Sequence, residues 1–192
     1  MCIRDSYSIN QIESIGPKIG NELKQHARNA MLAAMLLIGL YITVRFDSYY
    51  AFGSIIALLH DLAITFSVLL LLQYELSISI IAALLTIVGY SLNDTIVIYD
   101  RIRENKKLHP EGNKVNIINQ SLNTTLNRTI ITSLTTLIVA MVLFFLGGEV
   151  LQPFSMTLII GVITGTYSSL FIATPIMLKL EDKFHSDDLE EE

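Results

Sequence analysis

The chain has 192 residues, of which 52% are hydrophobic and only 16% charged, with a net charge of −5 at pH 7. A soluble domain carries about 25% charged residues, so this composition argues against one, and no basic stripe points to a nucleic-acid partner. Cys2 is the only cysteine, which excludes an intrachain disulfide and argues against a cysteine-based metal site.

Met1–Ser6 is polar and charged and lacks the apolar core of a signal peptide. It fits no predicted element and stands apart as a candidate non-native addition. Tyr7–Ile12 alternates weakly, in the manner of a terminal strand, and Gly16-Pro17 signals a turn. A lone strand forms no sheet. Residues 1–26 are therefore expected to be the remnant of an extramembrane domain with its linker, in a chain truncated at its N-terminus.

Five long apolar runs follow, predicting membrane spans at about 27–45, 51–73, 77–99, 129–147 and 153–178. Each is near or above the ~17–25 residues that cross a bilayer as a helix. The expected fold is an all-α membrane protein, with a five-helix bundle over 27–180 and an acidic tail over 181–192. Asp187, Asp188 and Glu190–Glu192 supply much of the net charge.

The connections differ in length. Arg45–Tyr50, Gln73–Leu76 and Gly147–Pro153 are short, whereas the predicted loop 100–128 is long and basic. It carries Arg101, Arg103, Lys106, Lys107, Lys114 and Arg128, and with Arg45, Lys179 and Lys183 it would place nine of the 13 lysines and arginines on one side. By the positive-inside rule that side is cytoplasmic, which puts the C-terminus inside and the N-terminus outside. Within the loop, Val115, Ile118, Leu122 and Leu126 recur at helical spacing. They predict a cytoplasmic helix lying on the membrane surface or packed on the end of the bundle.

Two carboxylates lie inside predicted spans. Asp94 interrupts the third span, roughly 9 Å toward the cytoplasmic side at ~1.5 Å per residue, and Asp61 follows His60 near the middle of the second. An intramembrane aspartate costs ~2.5–3.5 kcal/mol on translocon scales, so each needs a partner, water or a function. Arg128 opens the fourth span at a depth compatible with Asp94. A carboxylate beside an arginine stays ionised, whereas separation or dehydration lets it take a proton. The pair suits a proton-driven switch, and a static buried ion pair is the competing account. For Asp61, a hydrogen bond to a neighbouring span competes evenly with function.

The remaining polar residues point to packing. Thr125, Thr129, Thr132, Ser133, Thr135 and Thr136 put hydroxyls at the start of the fourth span, where they can bond another helix, the commoner use, or line a thin water path. Gly161, Gly165 and Ser169 form a small-residue stripe on the fifth, where helices can approach closely, and Pro175 is expected to kink or end that span. No HExxH, GxSxG or Walker pattern is present, and the four histidines lack ligand spacing. No enzyme activity, cofactor or metal is therefore expected.

Gly89-Tyr-Ser-Leu-Asn-Asp-Thr-Ile-Val-Ile-Tyr-Asp-Arg-Ile-Arg-Glu-Asn105 resembles the signature of the SecF family of bacterial protein-export membrane subunits. Gly16-Pro-Lys-Ile-Gly20, His60-Asp61, Ser121–Thr129, Thr132–Thr136, Gly147-Gly148 and Gly161–Ser169 resemble it in the same order, over about residues 12–180. The resemblance implies spans two to six of a six-span domain of the resistance-nodulation-division (RND) superfamily. It also implies SecD, the SecYEG translocon, the translocating preprotein and membrane lipid as partners, in the bacterial inner membrane. The implied work is use of the proton-motive force to promote export. Asp94 and Arg128 match the family's proton-pathway carboxylate and arginine, and Asp61 matches a less certain position. Thr124 stands where the family often has glutamine. A small-molecule or lipid exporter of the same superfamily, and a scaffold with structural buried charges, are the alternatives.

Overall fold

The computed structural model describes residues 17–190, with side chains described from 22 to 183. Helices α1 (Pro17–Arg45), α2 (Ser48–Leu71), α3 (Ile78–Leu108), α4 (Lys114–Leu146) and α5 (Gly148–Ser168) follow in order. A five-residue π-helical segment, Ser169–Ala173, then leads into α6 (Thr174–Glu190). Five stretches are long and apolar enough to cross a membrane, the last running without interruption from Gly148 to Lys183. The expected helical bundle is present. The predicted strand at Tyr7–Ile12 and residues 1–6 lie outside the described residues, as do the side chains of the acidic tail beyond residue 183, whose backbone is helical to Glu190.

The helices differ from the apolar runs mainly at their ends. The linker ahead of the first span is helical from Pro17. The segment expected as a long loop over 100–128 is almost wholly helix, and the true connection is His109–Asn113. Hydropathy marks where a chain leaves lipid, not where a helix stops. Arg101–Leu108 is rich in good helix formers, and Arg101 pairs with Glu104 one turn on at 2.6 Å, so α3 continues past the apolar stretch. Asn113 then caps α4, its Oδ1 accepting from the Val115 and Asn116 amides. Val115–Leu126 is accordingly no separate surface helix but the first turns of α4. Its Ile117, Ile118, Ser121 and Thr125 are buried against the bundle.

The other connections are tight. Leu72–Ser77 contains Gln73 at φ 59°, where Gln73 N donates to Leu70 O and Tyr74 N to Leu69 O to close α2. Ser77 accepts from Ile80 N to open α3. Gly147 and Gly148 join α4 to α5, with Gly148 at φ 73°.

α5 is the central helix and packs on α4, α3 and α2, whereas α1 leans chiefly on α2. Leu36, Leu37, Leu40 and Val44 of α1 are exposed, as befits a lipid-facing helix. One core joins α1, α2, α3 and the π segment through Ile42, Phe46, Tyr50, Ile98, Tyr99, Ile102 and Ala173. Tyr99 stacks edge-on against Tyr50 at 4.8 Å and donates to Ala173 O at 3.2 Å. Pro175 lies just beyond the π segment. It has no N–H for the Phe171 carbonyl, and its ring crowds that carbonyl, so the backbone widens ahead of it rather than breaking.

Candidate functional site

Gly161, Gly165 and Ser169 face α3 at one-turn intervals, opposite Ile87, Ser91 and Thr95. A Cβ at Gly161 would overlap the Ile87 side chain, and one at Gly165 would sit 3.0 Å from the Ser91 Cβ. Ser169 Oγ lies 2.8 Å from Thr95 Oγ1 and donates to Ser91 O at 3.2 Å. The missing side chains bring the two backbones close enough for serine and threonine hydroxyls to bridge them.

Asp61 of α2 closes this seam. It is 1% exposed, and its Oδ2 accepts from Ser91 Oγ at 2.6 Å and Ser168 Oγ at 2.8 Å. His60 Nδ1 lies 3.3 Å from Oδ1. One carboxylate thus receives donors from three segments, which satisfies a polar group that would otherwise be costly in lipid. Ser168 is 107 residues away in sequence, so no local pattern announces it.

Asp94 sits one turn beyond Ser91 on α3 and is furnished differently. It is 4% exposed, and its Oδ2 is buried without a hydrogen-bond partner among the described residues. Arg128 of α4 acts on it electrostatically, and the Thr132 hydroxyl of α4 lies within hydrogen-bonding reach of the carboxyl. Arg128 does not approach within 4.0 Å to form an ion pair, and its side chain is exposed. Near them, Tyr90 donates to Ser133 at 3.4 Å, and Ser133 Oγ lies 2.6 Å from Thr166 Oγ1. Thr129 Oγ1 is a second buried polar atom without a partner among the described residues. Thr125, Thr129 and Ser133 recur every fourth residue and turn a hydroxyl face of α4 inward.

The two aspartates are therefore chemically unlike. Fixed hydroxyl donors hold Asp61, and they serve a carboxylate and a carboxamide oxygen almost equally. Asp61→Asn is expected to cost no more than about 1–2 kcal/mol in thermal or denaturant unfolding, whereas Asp61→Leu, which strands the Ser91 hydroxyl and leaves Ser168 only its own helix's Gly165 carbonyl, costs more. Equal losses from both would contradict the hydrogen-bond account. Asp94 has an oxygen with no fixed donor and a cation nearby but not engaged, so it can change partner.

A further carboxylate went unrecognised as a site. Glu181 of α6 is 6% exposed and is gripped by Lys106 Nζ of α3 at 2.5 Å and Lys114 Nζ of α4 at 3.7 Å. It falls in the segment predicted as an acidic tail, and only the convergence of three helices buries it. Among the described residues no three His, Cys, Asp or Glu side chains come together as metal ligands do.

The family model described as "Protein export membrane protein SecD/SecF, C-terminal" matches residues 2–183. The chain belongs to this SecD/SecF family. It is 46% identical over 178 residues to protein translocase subunit SecF of Desulfurispirillum indicum, covering 91% of this chain and 56% of that protein. It is 47% identical over 176 residues to the subunit of the same name from Rhodothermus marinus, covering 88% and 57%. The chain thus spans about half the length of the curated SecF relatives it matches. The crystal structure of SecDF in a super-membrane-facing form superposes with a TM-score of 0.82 at 41% identity, over 93% of this chain and 24% of that one. The crystal structure of the translocon-associated SecDF from Thermus gives 0.82 at 47% identity, over 87% and 23%. The five-helix bundle matches part of the SecDF membrane domain.

Proposed function

We propose that this chain forms the C-terminal membrane part of a SecF-type subunit. With SecD it uses the proton-motive force to promote preprotein export through SecYEG in the bacterial inner membrane, its basic end cytoplasmic. Asp94 takes up and releases the proton, and Arg128 is the cation whose approach favours the ionised carboxylate. Asp61, Gly161, Gly165 and Ser169 hold α2, α3 and α5 in the register that presents Asp94. The observation that carries this reading is the buried Asp94 Oδ2 without a partner, near an arginine that has not closed on it. A buried ion pair that only fixed the packing would be paired. The kinship with SecF translocase subunits supports the substrate class, since the site itself recognises no polypeptide.

Exchanging the two charges separates a proton carrier from a static pair. In the full-length subunit with SecD, Asp94→Arg combined with Arg128→Asp preserves the attraction but removes the titratable group from α3. Export driven by the proton-motive force is expected to stay at the level of the single variants. Recovery to near the parent level would mean that the charges serve packing alone.

A further inference from the structure

A cleft of about 680 Å³ opens between α3, the start of α4 and the end of α1, beside the Asp94–Arg128 site but on the outer surface of the bundle. Its wall carries five cations, Arg45, Arg101, Arg103, Lys107 and Arg128, against two carboxylates, Asp100 and Glu104. Both carboxylates are engaged, Asp100 with Arg45 at 2.9 Å and Glu104 with Arg101 at 2.6 Å. Arg103 donates Nη1 to the Arg45 carbonyl, which leaves its charge unmatched. Lys107 and Arg128 are exposed and form no ion pair among the described residues. Arg103 and Lys107 therefore face the concavity without a counter-charge, and Arg128 does so with only Asp94 near it and no ion pair formed.

The depth of the cleft identifies what meets it. On α1 the exposed apolar surface ends at Val44, one residue before Arg45; on α4 only Val115 and Leu126 are exposed large apolar residues before Arg128, and such residues become frequent from Ile130 and Ile131 onward. The cations thus line the level at which lipid-facing residues give way to charged ones, the level of phospholipid phosphates. Arginine side chains present forked donors suited to phosphate oxygens, and each cation near an anionic headgroup contributes to binding.

We propose that this cleft binds a phosphate group presented by an anionic phospholipid headgroup, and that the phosphate is the alternative partner of Arg128, drawing it away from Asp94. The second half rests on the reading of Asp94 and Arg128 above; the first half stands without it. A lipid seated here competes with the Asp94 carboxylate for one guanidinium, so binding at the two places is linked and reciprocal.

The test measures lipid retained by the full-length subunit purified with SecD, after exchange into defined phosphatidylglycerol or phosphatidylcholine and read by native mass spectrometry. Phosphatidylglycerol is expected to be retained and phosphatidylcholine not. Lys107→Glu lowers retention by at least about fivefold, and Arg103→Gln with Lys107→Gln does so without reversing a charge. Lys24→Gln with Arg28→Gln, which removes two charges at the other end of α1, leaves retention within twofold. Asp94→Asn, by releasing Arg128, raises retention severalfold. Equal retention of both lipids, or indifference to both cleft variants, would overturn the site. Displacement of the lipid by ~10 mM inorganic phosphate would overturn the lipid as the source of the phosphate. Unchanged retention in Asp94→Asn would overturn the competition. Because retention needs no proton-motive force, loss of export in Asp94→Asn with unchanged lipid retention sinks the competition for Arg128 and leaves the proton reading standing.

Discussion

Asp94→Asn in the full-length subunit is expected to remove the proton-motive-force-dependent part of preprotein export while leaving assembly with SecD intact. Asparagine is nearly isosteric and keeps an acceptor oxygen, so helix packing is largely retained. It has no proton to exchange. One charge moved through 100 mV is worth ~2.3 kcal/mol, roughly a fiftyfold bias on a conformational equilibrium, and that bias disappears with the titratable group. Asp94→Glu, which keeps the group but lengthens its reach toward α4, should retain part of the activity. The check is export into inverted membrane vesicles with and without an uncoupler. If Asp94→Asn export remained as sensitive to the uncoupler as the parent's, Asp94 would not be the proton carrier.

The second large effect falls on stability. A methyl at Gly161 would overlap Ile87 Cγ1 and Cδ1, and Ile87 is fully buried. Overpacking at so close a helix contact typically costs ~1–3 kcal/mol, so Gly161→Ala should lower the unfolding midpoint of the purified complex clearly. Ile87→Ala alone should also destabilise, by ~2–5 kcal/mol, through the cavity it opens. Combined, the two should cost less than the sum of the singles, because the methyl enters the space the isoleucine leaves. Strict additivity would show that α3 and α5 do not meet through this pair. Gly165→Ala should be milder in packing but should disturb the Asp61 network, since its neighbour is Ser91.

How much of this was readable beforehand depended on the kind of signal. The five spans are legible because lipid demands unbroken apolar runs, and Asp94 and Arg128 stand out because charge is rare within or beside such runs. The polar ends of α3 and α4 are not legible by the same rule, since Asp100–Leu108 and Lys114–Arg128 stay helical through caps, charge pairs and burial against the bundle that hydropathy ignores. The difference between Asp61 and Asp94 is invisible in sequence. Both are aspartates in apolar helices, and only the arrival of Ser168 from α5 supplies one of them with a second donor. Glu181 was hidden for a related reason, because its lysines come from two other helices.

The π segment sets the rotational phase of everything after it. Five residues there complete what a regular α-helix would complete with four, so α6 is turned by roughly 100° about its axis relative to an uninterrupted continuation of α5. That turn aims Glu181 at Lys106 and Lys114. Removing one residue between Ser169 and Ala173 would leave the apolar length of the last span almost unchanged. It would also swing Glu181 away from both lysines and unlock α6 from α3 and α4. A wound-in extra residue, not the composition of α6, thus decides which face of the C-terminal helix meets the bundle.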